Sequence, residues 1–185
     1  MRKLLVPVVL LFSFAACSSS PEAQLSQWKY KQTNIPKLKT RWPSFAPLLD
    51  AQLKEATKAW DAATKLSDKK AKVEKMKAAH AQLDVVYAKL AEVQSKSEAL
   101  QKKVSKYSSK LIPKSQSQSR KDILGFARST LTLVDQGMRA AKPNGPGDVE
   151  AIIRPLVSKL ISADKSVSRG LKNASPSKKK RKKKK

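Results

Sequence analysis

The sequence predicts an all-α protein, an antiparallel bundle of about four helices with a disordered N-terminal tether and a polybasic C-terminal tail. Three observations lead there. Apolar residues recur at steps of three and four over most of the chain from Leu49 to Leu171, the spacing of one buried helix face. Aromatic residues make up only 5% of the sequence and there are 5 glycines, too few for the turns and pleated faces of an all-β domain. Lys and Arg number 40 against 14 Asp and Glu, and eight of the basic residues form one C-terminal run, a block of like charge that does not fold by itself. At 185 residues the chain has the length of a single domain.

The helices follow in order. Residues 17–46 read as a cysteine followed by a tether, because prolines stand at 21, 36 and 43 and no apolar period is sustained. The bundle is assigned to residues 47–172. Pro47 opens a helix, tolerable in a first turn, whose seam is Leu49, Leu53, Ala56, Trp60 and Ala63. A second seam runs Val73, Met76, His80, Leu83, Tyr87, Leu90, Val93, Ser97, Leu100, Val104, Tyr107 and Leu111. No Gly or Pro interrupts Leu48 to Ile112, so one helix of about 65 residues competes with a hairpin. A turn at Ser67-Asp68, with either residue as N-cap, is favoured.

Pro113 closes that run, and residues 114–119 are a polar loop. Leu124, Ala127, Leu131, Val134, Met138 and Ala141 mark the third helix. Residues 143–147, Pro-Asn-Gly-Pro-Gly, form a turn. Asp148 is expected to cap the fourth helix, with the stripe Val149, Ile153, Leu156, Leu160, Ala163, Val167 and Leu171, and with Pro155 kinking it or delaying its start. Residues 173–185 are expected to be a disordered polybasic tail.

The N-terminus is an address. Arg2 and Lys3 precede an apolar run to Ala16, about 20 Å of helix, short of the roughly 30 Å hydrocarbon core; residues 1–16 read as a signal peptide. The sole cysteine follows directly, in Phe14-Ala15-Ala16-Cys17-Ser18. This resembles the lipobox of bacterial lipoproteins, with Phe14 where leucine is usual. The resemblance implies that Cys17 is acylated and becomes the mature N-terminus. It also implies that Ser18 directs the protein to the outer membrane, facing the periplasm or the cell surface.

One histidine and one cysteine leave no thiol or imidazole set for a metal. His80 lies on an apolar seam and is expected to be a core residue. The acids are scattered among lysines, and no strand-turn-helix context exists for a nucleophile or a phosphate loop. Neither catalysis nor a cofactor is expected. Trp28, Tyr30 and Trp42 interleave with lysines near the anchor and are candidates for membrane or ligand contact; equally, these aromatics could fold back into a groove of the bundle. The tail, Lys178, Lys179, Lys180, Arg181, Lys182, Lys183, Lys184 and Lys185, is the candidate anion-binding element. Its expected partner is an anionic envelope polymer such as lipopolysaccharide or acidic polysaccharide, in a lipid-anchored envelope protein with a binding or structural role. The alternative is an exported nucleic-acid-binding protein.

Overall fold

A computed structural model describes residues 20–174. Among them are five helices and no strand: α1 (Pro21–Arg41), α2 (Ala46–Thr64), α3 (Lys69–Ser108), α4 (Ser117–Ala140) and α5 (Pro146–Asn173). Short 3-10 turns at Pro43–Phe45 and Lys114–Gln116 lead into α2 and α4. The all-α class is as the sequence predicts. The signal peptide, Cys17 and the run from Lys178 to Lys185 lie outside the described residues.

The largest correction concerns the segment taken for a tether, most of which is α1. Ser20 caps it, its hydroxyl accepting the Ala23 N–H at 3.2 Å. Pro21 occupies the first turn, where no intrahelical N–H is needed, and Pro43 stands just past the end. Only Pro36 is inside the helix, and its ring is on the exposed side. Gln24, Trp28, Lys31, Ile35, Leu38, Trp42 and Phe45 step by four and three into Leu49. Polar residues at 24 and 31 hide that period from a hydropathy reading. Trp42, Phe45 and Leu38 are fully buried, each contributing on the order of 1.5–3 kcal/mol by leaving water.

Helix α3 is the spine. Asp68 starts it, its carboxylate accepting the Ala71 N–H at 2.7 Å, so the chain turns at the favoured place and the single-helix alternative does not occur. Over 40 residues it rises about 60 Å. Every predicted seam residue from Val73 to Tyr107 is buried, whereas Leu111 lies beyond the helix end and is 96% exposed.

The first half of α3 packs against α1 and α2. Lys31 Nζ meets Asp84 at 2.7 Å, and Asn34 Nδ2 donates to Tyr87 Oη at 3.3 Å, so α1 runs parallel to the spine. The second half packs against α4 and α5. Lys89 pairs with Glu150, and Lys103 with Asp164 at 2.7 Å, which makes α5 parallel to the spine as well. Two three-helix layers thus share one long helix, in place of a bundle of about four. They join at mid-molecule, where Trp42 Nε1 donates to Asp135 and Ser44 Oγ to the Met138 carbonyl at 2.8 Å.

Asp148 is not the cap of α5. Gly145 holds that position, and the Asp148 carboxylate instead accepts the Asn144 N–H at 3.0 Å, bracing the turn. Helix α5 runs through Pro155, whose ring faces solvent. Leu131 is half-buried and Thr130 takes the buried place beside it, its hydroxyl donating to the Phe126 carbonyl.

Candidate anion-binding pole

Two of the three aromatic contact candidates are core residues. Trp28 is 3% exposed and Trp42 is fully buried, which removes both from any membrane or ligand surface; Tyr30 is 52% exposed. Trp28 stacks on Trp60, centroids 4.6 Å apart and planes 4° from parallel. His80 meets both rings edge-on at 5.5 Å. Its Nε2–H donates to the Gln24 carbonyl at 3.1 Å, while its buried Nδ1 has no partner. Burial, then the nearby Lys31 charge, pushes the imidazole below its ordinary range. His80 is thus held neutral within a structural layer, as its place on the seam suggested.

That layer fixes which helix ends lie together. From Trp28, α1 runs back eight residues to Ser20. Trp60 leads in a few residues to Lys65, and His80 back to Asp68 at the head of α3. All three paths travel the same way, so Ser20 emerges at the end carrying the α2–α3 turn. At the other end, Lys110 Nζ donates to the Leu171 carbonyl at 3.4 Å and Arg120 to the Lys110 carbonyl at 2.7 Å. The C-terminus of α5, the C-terminus of α3 and the start of α4 therefore meet there. Between Lys72 and Tyr107 the spine rises roughly 50 Å; Ala174 and Ser20 are at opposite poles.

Charge is distributed unequally between those poles. Residues 100–128 and 162–174 carry eleven basic side chains and two acidic ones. Of the acids, Asp164 is paired with Lys103 and Asp122 accepts from Gln118 at 2.9 Å. Residues 20–30 and 55–80, at the Ser20 end, carry eight basic and five acidic side chains. Chain order scatters these lysines; the helix arrangement collects them beside the residue from which the tail departs. The poles are several Debye lengths apart at physiological salt, where that length is about 8 Å, so each acts on its surroundings independently.

Two shallow clefts indent the surface. One, of about 500 Å³, lies between α1 and α4 against Lys37, Arg41 and Arg139. Both of its arginines are engaged by Asp135, at 3.7 and 2.8 Å. Burial pushes that carboxyl up, but the Arg139 and Trp42 hydrogen bonds and the two guanidinium charges outweigh it and hold Asp135 below its usual range. The other, of about 490 Å³, lies between α3 and α4 at the cationic pole, lined by Gln101, Val104, Ser105, Ser108, Ser109, Arg128 and Leu131. Arg128 forms no ion pair among the described residues. The cleft thus brings Arg128 beside three serines and two apolar residues, Val104 and Leu131; the Ser109 hydroxyl donates to the Lys106 carbonyl.

Among the described residues no cluster of three or more His, Cys, Asp or Glu is placed to hold a metal ion, and no helix is long and apolar enough to cross a membrane. Fold and surface define a class: a helical spine protein with a chemically distinct pole at each end. The chain matches no protein-family model, no curated protein and no solved structure.

Proposed function

We propose that this chain is a lipid-anchored protein of the bacterial cell envelope, held in the outer membrane through Cys17, with a binding or structural role and no catalysis. The observation that carries the reading is the sole cysteine placed directly behind a short apolar run and Ala15-Ala16. The folded body agrees with such an anchor. Three peptide units separate Cys17 from Ser20, a span of at most about 11 Å, so acyl chains on Cys17 hold the Ser20 pole close to the bilayer. The cationic pole, from which the tail departs, is then at the far end of the spine. There pole and tail engage an anionic envelope polymer, such as lipopolysaccharide or acidic polysaccharide, through exposed ammonium and guanidinium groups.

Palmitate labelling of the wild type and of Cys17→Ser tests the anchor. The wild type incorporates label and sediments with outer membranes; Cys17→Ser does neither. A Cys17→Ser protein that still labels and still sediments refutes the anchor. Deleting Lys178 to Lys185 tests the tail: lipopolysaccharide binding weakens at matched salt while the melting temperature stays in place. Unchanged affinity removes the tail from the contact.

A further inference from the structure

We propose that the cationic pole docks on an anionic lipid surface, with Leu111 entering the headgroup layer while the lysines of that pole take lipid phosphates. The inference rests on the reading of this pole as an anion-binding surface and names the kind of surface it meets. Leu111, in the connection between α3 and α4, is 96% exposed, whereas the other large exposed apolar side chains lie between 38% and 52%. The fold holds it there. The Lys110 N–H donates to the Tyr107 carbonyl at 3.3 Å, and the Lys110 carbonyl accepts from Arg120 at 2.7 Å. The Lys110 ammonium reaches the Leu171 carbonyl at 3.4 Å. On the other side Ile112 packs against the core, and Pro113 follows with φ -57° and ψ 148°. A residue before proline is extended, and successive side chains of extended chain face opposite ways. Seating Ile112 inward therefore directs Leu111 outward.

Charge indicates what covers it. Residues 106–121 and 169–174, which meet at this end, carry seven basic side chains and no acidic one. Of these, Lys106, Lys114, Lys121 and Lys172 are exposed. The next acids along the chain are Asp122, which accepts from Gln118, and Asp164, which pairs with Lys103. A lone exposed leucine is ordinary on a protein surface. Leu111 differs in place: it projects from the end of the molecule, where the converging segments bring lysines and no carboxylate. An anionic bilayer complements both features, with phosphates for the ammonium groups and acyl chains beneath them for the leucine. Interfacial binding grows with the apolar area buried and with attraction to anionic lipid. Lysine stems can lie along the apolar layer while their heads stay at the phosphates. A soluble acidic polysaccharide or duplex DNA satisfies the charges but offers Leu111 no apolar layer.

The test uses residues 17–185 with Cys17→Ser, so that no acyl group contributes and no native thiol remains. The probes are phosphatidylcholine vesicles, vesicles of equal phosphatidylcholine and phosphatidylglycerol, alginate as a soluble acidic polysaccharide, and a short DNA duplex. An environment-sensitive fluorophore is attached through Leu111→Cys or, at the opposite pole, Lys70→Cys. With saturating anionic vesicles the label at 111 shifts to the blue and is quenched by spin-labelled lipid; the label at 70 does neither. Phosphatidylcholine, alginate and DNA leave both labels in an aqueous environment. Without any label, Leu111→Ser sediments with anionic vesicles about tenfold more weakly than its parent, and its melting temperature and alginate binding are unchanged. Leu66→Ser, in the turn at the opposite pole, binds vesicles like the parent. The lipid contact is refuted if the label at 111 stays aqueous on vesicles that carry the protein down, if the label at 70 responds equally, if alginate or DNA produces the same shift, or if Leu111→Ser binds vesicles as tightly as the parent. In each of those cases the anion-binding reading of the pole survives. Failure of the parent to bind vesicles, alginate and DNA alike defeats that reading, and the lipid contact with it.

Discussion

Two glycine-to-alanine substitutions in helices should have opposite signs. Gly125 lies inside α4 on its exposed side, and a Cβ built there meets nothing within 4 Å. Alanine in a helix interior is favoured over glycine by about 0.8–1 kcal/mol, so Gly125→Ala should stabilise by up to that amount. Gly170 lies in the last turn of α5, where the propensity gain is smaller. A Cβ there falls 2.7 Å from Cζ and 2.8 Å from Cε1 and Oη of Tyr107, a side chain itself only 3% exposed. The ring has to move, and overpacking of this kind costs about 1–3 kcal/mol. Gly170→Ala should therefore destabilise by about 1–2 kcal/mol once the small propensity gain is subtracted. Urea unfolding followed by helical circular dichroism measures both. Tyr107→Leu should relieve the clash, so the double variant should be less destabilised than the two singles together predict. Equal stabilisation by both alanines would refute the close approach of α3 and α5, and with it the seat from which the tail departs.

Three further outcomes follow from the same packing. Ile35→Ala should cost about 2–5 kcal/mol if α1 is part of the core; a cost near zero in urea unfolding would return residues 21–41 to the status of a tether. Leu160→Asp puts a carboxylate where the side chain is 1% exposed and should abolish cooperative thermal unfolding, whereas Lys102→Asp, on the exposed side of α3, should leave the transition in place. Because the folded His80 holds a proton less tightly than the unfolded chain, whose value is about 6.5, its contribution is present above that pH and is lost as the pH falls through it. The melting temperature should drop between pH 7.5 and 5.5 in the wild type and much less in His80→Phe; parallel curves would show that another group titrates.

Much of the fold is legible in chain order, because helix packing needs only a repeating apolar face and a few breakers. The seams of α2, α3 and α5, the turn at Asp68 and a break at Pro143 to Gly145 follow from spacing and local chemistry, although Pro146 and Gly147, expected in that turn, already belong to α5. The readings of Cys17 and of the basic run from Lys178 to Lys185 rest on the sequence alone, since both lie outside the described residues. Helix α1 was not legible as a helix, since Gln24 and Lys31 interrupt its apolar period and Pro36 imitates a breaker. Its burial is supplied by α2 and α3: the Trp28–Trp60 stack and the Lys31–Asp84 pair span intervals of chain that no local window covers. The same holds for the poles. Sequence counts the lysines, but which of them share a surface depends on α4 and α5 returning along the second half of α3. The cationic pole and its cleft exist because segments centred near residues 106, 120 and 169 are brought to one end of a spine about 60 Å long, a proximity set by packing rather than by order along the chain.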